Sequence, residues 1–141
     1  MTRYAIFIHR PITLWSPARS APPVPFAASA VYTPDDPFAV EFAVPSRDGG
    51  EPHSVLFARG LLIDGVAEPA GDGDVHVAPH PDSDEWVRLE LPIDGRPAEF
   101  YAERSAVDEF VDATCLLVPS GREAAELDLD GMIARLLGAG R

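Results

Sequence analysis

The chain contains no lysine: its 11 basic residues are all arginine, set against 23 acidic residues, for a net charge of -12 over 141 residues. That absence removes every chemistry that needs an ammonium side chain, among them a Walker A phosphate loop, a Schiff base and a lysine general base. A strongly acidic chain also repels a phosphate backbone rather than releasing counterions from it, so no nucleic-acid partner is expected. Cysteine is nearly absent as well. Cys115 stands alone, which excludes an internal disulfide and a cysteine zinc cluster and predicts a reducing, cytoplasmic setting. Long apolar runs are missing too. The patch from Tyr4 to Ile8 is broken by His9, Arg10 and Pro11, and Pro22 to Tyr32 is about half of a membrane span and interrupted by prolines, so neither an export signal nor membrane insertion is expected.

The charge that is present is unevenly spread. Residues 1–33 hold Arg3, Arg10 and Arg19 and no acid, whereas residues 34–141 hold all 23 acids and eight arginines. Such asymmetry suits a surface that steers a basic partner, and equally one that keeps the chain soluble. At this length roughly two thirds of the extended chain's surface is buried on folding, enough for one core, so residues 1–141 are read as a single domain.

Strand and turn signals alternate through the first two thirds of the chain. Tyr4 to His9 and Phe26 to Tyr32 read as strands separated by the loop WSPARSAPP, and TPDD (Thr33 to Asp36) as a turn. In FAVEFAV the alternation puts Phe38, Val40, Phe42 and Val44 on one face of a half-buried strand, followed by the hairpin loop SRDGGEP. His53 to Arg59 is another strand, GLLIDG one helical turn, AGDGD a turn, Val75 to Pro79 a short strand and HPDSDE a turn. The clearest hairpin runs from Glu85 to Glu103, with Val87, Leu89, Leu91 and Ile93 on one face of its first strand and Ala98, Phe100 and Ala102 on one face of its second. A two-residue Asp94-Gly95 turn would oppose Glu90 to Glu99. A four-residue loop from Pro92 to Gly95 is therefore expected, pairing Arg88 with Glu99 and taking Pro92 out of the ladder.

After Arg104 the period changes. Val107, Phe110, Val111 and Thr114 recur at helical spacing, which predicts a helix from Ser105 to Thr114 with Ser105 as its N-cap and Asp108, Glu109 and Asp112 on its solvent face. A second helix is expected from about Asp128 or Asp130 to Leu137, with Met132, Ile133 and Leu136 on its apolar side and glycines at its end. About seven antiparallel strands followed by two C-terminal helices make an α+β domain. Short helices with wide apolar faces need a sheet or a second copy to cover them, so a homo-oligomer is expected, with Val107, Phe110, Val111, Met132, Ile133 and Leu136 as core or oligomer contacts.

Catalytic and metal signatures are weak throughout. His76 and His80 lie four apart, but across a strand and Pro79, which does not bring two ligands together, and His9 and His53 stand elsewhere. The DGD run resembles the start of a calcium loop, yet the twelfth position counted from Asp72 is Ser83 rather than glutamate. Cys115 is placed neither at a helix N-terminus nor beside a cation, and is read as buried and inert. No nucleophile elbow, zincin motif or dinucleotide fingerprint occurs, so no catalytic residue, cofactor or metal is assigned and the chain is read as non-enzymatic. Were single-stranded nucleic acid to bind after all, Trp15, Trp86 and Arg88 would be the stacking patch to test.

Five blocks taken together are specific: VYTPDDPFAVEF from Val31 to Phe42, LFARGLLIDG, GDGDVHVAP, the ELPIDG hairpin loop and EFVDATCLLVPSGRE. Their order and spacing, over residues 24–137, closely resemble the SsgA/SsgB-like sporulation and cell-division regulators of actinobacteria. Val55 and Ala78 stand where that family usually carries tryptophan, and Gly60 where it carries aspartate. The resemblance implies a Whirly-like fold assembled as a trimer, and a non-enzymatic adaptor that helps position the division machinery. It implies the tubulin-like protein FtsZ or another SsgA-like protein as partner, with recruitment to the septum. Asp108, Glu109 and Asp112 are the residues through which such a partner would bind. The nucleic-acid binding of other Whirly-like folds is not expected to come with the fold, because the charge has the wrong sign.

Overall fold

The computed structural model of the chain describes residues 6–19 and 21–127. Eight strands form one antiparallel sheet: β1 (Ile8–Trp15), β2 (Pro25–Tyr32), β3 (Ala39–Val44), β4 (His53–Ala58), β5 (Ala70–Asp72), β6 (Val75–His80), β7 (Ser83–Ile93) and β8 (Arg96–Glu103). Helix α1 (Arg59–Gly65) follows β4, α2 (Arg104–Leu117) follows β8, and residues 123–127 are again helical. The strand order is β4-β3-β2-β1-β8-β7-β6-β5, so two meanders meet where β1 lies beside β8. This is the expected α+β class, with one more strand than expected because Ala70–Asp72 pairs with β6 instead of forming only a turn.

Period-two alternation decides which face is buried. Val40, Phe42 and Val44 of β3, Val87, Leu89 and Leu91 of β7, and Phe100 and Ala102 of β8 all point to one face and are almost wholly excluded from water. Phe38 does not join them: it precedes β3 and remains exposed. α2 closes this face with Val107, Phe110 and Thr114, and the Phe110 ring meets Phe42 edge-on at 6.3 Å between centroids. α1 lies across β5 and β6 with Leu62 fully buried, and its last residue rests directly on Val77, where a Cβ at Gly65 would come within 2.4 Å of Val77 Cγ1. Only glycine allows that approach.

The structure corrects four further expectations. β1 runs past His9 through Pro11 to Trp15, because Ile12 and Leu14 continue the buried alternation and β2 pairs with it over its whole length. Pro11 is tolerated because β8 pairs with β1 only at Trp15↔Tyr101, leaving the other side of the strand without a ladder at proline. The hairpin between β7 and β8 closes on the two-residue turn Asp94-Gly95, with Ile93 opposite Arg96 and Glu90 opposite Glu99. Both turn residues have positive φ, 53° and 74°, as a type I′ hairpin turn requires. Pro92 and Pro97 oppose each other one step from the closing pair. That is a non-hydrogen-bonded position, so neither ring displaces a bond to its partner strand. Finally, α2 begins at Arg104 with Glu103 at the N-cap position, so Ser105 sits inside the first turn and caps nothing, and Cys115 is half-buried rather than buried.

Candidate functional site

Three features of the surface and its supports bear on function. The first is the outward face of α2. Val107 and Phe110 are buried as expected and Val111 is half-buried, while Glu109 and Asp112 face solvent. Asp108 is half-buried and lies 3.7 Å from Arg104 one turn back, an exposed i,i+4 pair worth a few tenths of a kcal/mol at most. The other expected contact residues, Met132, Ile133 and Leu136, lie outside the described residues. Leu116 is 87 % exposed and Leu117 also stays in contact with water, so the last turn of α2 presents an apolar edge.

The second feature has no counterpart in the sequence reading. Arg59 ends the strand-like run of LFAR as the first residue of α1, and its side chain is fully buried. It donates to the Val118 carbonyl at 2.7 Å, to the Thr114 carbonyl at 3.3 Å, to Thr114 Oγ1 at 3.4 Å and to Glu123 Oε1 at 2.5 Å. The guanidinium also lies 5.0 Å from the centre of the Tyr32 ring. A cation thus caps the Val118 carbonyl and adds a second donor to the Thr114 carbonyl, which also accepts the Val118 N–H, at the C-terminus of α2 where the helix dipole is negative. Burial pushes the Tyr32 phenol up to about 12, partly offset by Arg59, and its hydroxyl donates to the Pro37 carbonyl at 3.0 Å. Burial raises the Glu123 carboxyl, but the Gly121 N–H and Arg59 outweigh it and hold the group below its ordinary value.

The third feature lies on the opposite face of the sheet. Trp15, Trp86, Tyr101 and His80 line an open cavity of about 590 Å³ together with Ser16, Pro17, Ala18, Arg19, Pro23 and Glu99. Trp15 and Tyr101 are cross-strand partners of β1 and β8, and the His80 and Tyr101 rings are 5.2 Å apart. Glu99 is the polar centre of this wall. It accepts from Arg88 Nε at 2.5 Å and from the Tyr101 hydroxyl at 3.0 Å, and it forms an ion pair with the exposed Arg19. The Arg88 hydrogen bond, ahead of the opposing effect of burial, keeps the Glu99 carboxyl below its ordinary range. Arg88 also reaches Glu90 at 3.9 Å, which is how the sheet tolerates two carboxylates directly opposite one another. Of the residues named as a stacking patch, Trp15 and Trp86 line this cavity and Arg88 reaches it through Glu99, while Tyr101, His80 and Arg19 join them through contacts that the sequence does not show.

Among the described residues no three or more His, Cys, Asp or Glu side chains come together to hold a metal ion, and no helix is long and apolar enough to cross a membrane. His76 and His80 have separate surroundings: His76 packs at Gly71, while His80 accepts from the Asp82 N–H at 3.0 Å and faces Tyr101.

Residues 26–123 match the family described as Streptomyces sporulation and cell division protein, SsgA. The chain belongs to the SsgA family. It is 43 % identical over 127 residues to the sporulation-specific cell division protein SsgB of Salinispora tropica, covering 88 % of this chain and 87 % of that one. To the SsgB protein of Kineococcus radiotolerans it is 42 % identical over 121 residues, 84 % of this chain and 72 % of the relative. The crystal structure of an SsgA-like sporulation-specific cell division protein from Thermobifida fusca superimposes with a TM-score of 0.81 at 34 % identity, covering 96 % of this chain and 98 % of that one. SsgA-family membership supports a role in cell division and sporulation. The matched region runs from β2 to Glu123 and so contains α2, Arg59, Trp86, Glu99 and Tyr101, whereas Trp15 and Arg19 precede it.

Proposed function

We propose that this SsgA-family chain is a non-enzymatic adaptor that helps position the division machinery, with an FtsZ-type protein or another SsgA-like protein as its partner. The outward face of α2 carries this reading. Val107, Phe110 and Thr114 fasten the helix to the sheet, and Asp108, Glu109 and Asp112 lie on the side away from them. The adaptor works as a homo-oligomer, a trimer by family resemblance, in which the exposed Leu116 and Leu117 favour contact between copies. Oligomerisation repeats the acidic face, and repeated weak contacts gain avidity on a filament whose own subunits repeat. The protein acts in the cytoplasm and is recruited to the septum by that contact.

The test is co-sedimentation of the pure protein with GTP-polymerised FtsZ from the same organism, with light scattering as a check on oligomer mass. Co-pelleting that is lost in the Asp108→Asn/Glu109→Gln/Asp112→Asn variant at unchanged mass supports the adaptor face. Undiminished co-pelleting moves the contact away from α2, to the loop from Arg47 to Pro52, and absence of co-pelleting in the unaltered protein overturns the FtsZ reading.

A further inference from the structure

The aromatic cavity on the outer face continues into a second one through a shared side chain. Trp86 lines both the cavity with Trp15 and Tyr101 and a neighbouring cleft of about 560 Å³ formed by Asp84, Glu85, Glu103, Arg104, Ser105 and Asp108. The register explains the junction: Trp86 lies opposite Glu103, one residue pair beyond Arg88 and Val87 on β7, so it stands at the end of the sheet where β8 enters α2. In the cleft four carboxylates face one guanidinium, and Arg104 is already paired with Asp108. No ion pair among the described residues engages Asp84, Glu85 or Glu103.

The two halves ask for different chemistry. Half-buried indole and phenol rings in an open groove offer flat faces for a stiff, apolar group, and the pyrrolidine ring of an extended proline segment fits such faces at little entropic cost. The acidic cleft attracts a cation, and the same tryptophan face also favours one. The fold already shows this pairing on a small scale. The loop after β1 has Pro17, Pro22 and Pro23 around Arg19, and Pro17 and Pro23 line the groove while Arg19, 71 % exposed, rests its guanidinium on Glu99.

We propose that groove and cleft together bind an extended, proline-containing basic segment of a partner protein, with proline against Trp15 and Trp86 and an arginine or lysine among Asp84, Glu85 and Glu103. This goes beyond the adaptor reading. A peptide titration reads the groove and FtsZ co-sedimentation reads the helix face, so either can fail without the other.

The chain has two tryptophans, and both line the groove, so intrinsic fluorescence reports on it directly. The probe is a (Pro-Pro-Arg)4 peptide added to the full-length protein at low salt. The expected result is a saturable change in tryptophan emission that weakens as salt is raised, because the attraction is partly between exposed charges. Anisotropy of a labelled copy of the peptide should show affinity falling about tenfold or more in Trp86→Ala and in Asp84→Asn/Glu85→Gln/Glu103→Gln, as for loss of a central aromatic anchor. Glu68→Gln/Asp72→Asn, two exposed carboxylates outside the groove, the cleft and the α2 face, should bind as the parent does. Trp86→Phe, which keeps a ring, serves if the alanine variant fails to fold. The proposal is overturned by no saturable change at peptide concentrations near 1 mM, by equal affinity for (Pro-Pro-Glu)4 or (Gly-Gly-Arg)4, or by labelled oligothymidine occupying the groove in place of the peptide at about 0.15 M salt.

Discussion

Replacing Arg59 by methionine keeps much of the side chain's length and apolar stem but removes the charge and all its donors. Its guanidinium, with 2 % of the side chain exposed, holds two carbonyls at the end of α2, Thr114 Oγ1 and Glu123. Thr114 Oγ1 keeps its own bond to the Val111 carbonyl and the Thr114 carbonyl keeps the Val118 N–H, so the change strips the Val118 carbonyl of its arginine donor and takes the charge partner from a carboxylate only 14 % exposed. Breaking a buried, hydrogen-bonded ion pair by removing one partner costs about 3–5 kcal/mol. Glu123 retains the Gly121 N–H and some contact with water, which places the expected loss near the lower end of that range, about 3 kcal/mol. For a domain of this size that loss lowers Tm by roughly 10 °C. Urea unfolding followed by far-UV circular dichroism measures it, in a cycle with Glu123→Gln and the double variant. Because both single changes disrupt one contact, the double variant should lose at least about 1 kcal/mol less than the sum. A loss below about 1 kcal/mol in Arg59→Met, or strict additivity with Glu123→Gln, would refute the assignment of Arg59 as the clasp between α1 and the end of α2.

Gly65→Ala forces a Cβ against the fully buried Val77 and should cost about 1–3 kcal/mol by urea denaturation, with partial recovery when Val77→Ala opens the space. Gly95→Val places a branched residue at φ 74° and should destabilise by about 1–2 kcal/mol, while Gly60→Ala in α1, at an ordinary φ with open space around it, serves as a control with no loss. The Glu99 carboxyl has a folded pKa below its unfolded one, so its stabilising contribution is present above about pH 4.5 and is lost as the pH falls through the lower folded value. Glu99→Gln should therefore flatten the acid limb of the stability–pH curve, and an unchanged acid limb would contradict the Arg88–Glu99 assignment.

Most of the strands could be read from the chain because alternation is a local signal. FAVEFAV and VRLEL each announce a buried and an open face, and the structure buries Val40, Phe42, Val44, Val87, Leu89 and Leu91 accordingly. The sequence pattern ends β1 at His9 because Pro11 is a strand breaker by local rules, and that one side of the strand has no ladder at Pro11 follows only from where β8 pairs. Arg59 left no local trace at all: a single arginine between a strand and a glycine looks like a surface residue, and its burial depends on α2, 55 residues later. The acidic face of α2 was legible from helical spacing. The groove was legible only as two tryptophans and an arginine, because Trp15 meets Tyr101 across a strand pair 86 residues apart in sequence.

The hairpin register shows where alternation stops carrying information. Moving from the four-residue loop to the Asp94-Gly95 turn shifts the pairing by two residues, and a shift of two leaves every side chain on the face it had before. Leu89 is buried in either case, opposite Phe100 in the structure instead of opposite Ala98, so the apolar pattern cannot distinguish the two. Turn chemistry can, since consecutive positive φ values favour Asp-Gly. Repulsion between Glu90 and Glu99 argues against that turn, but Arg88 pairs with both carboxylates and Arg19 reaches Glu99 from another part of the chain. The consequence reaches the surface. In the register observed, Arg88 rather than Trp86 lies opposite Tyr101, and Trp86 moves one row further, opposite Glu103. From that row it lines the acidic cleft as well as the aromatic groove, so a two-residue turn at one end of the hairpin sets the neighbours of the tryptophan at the other.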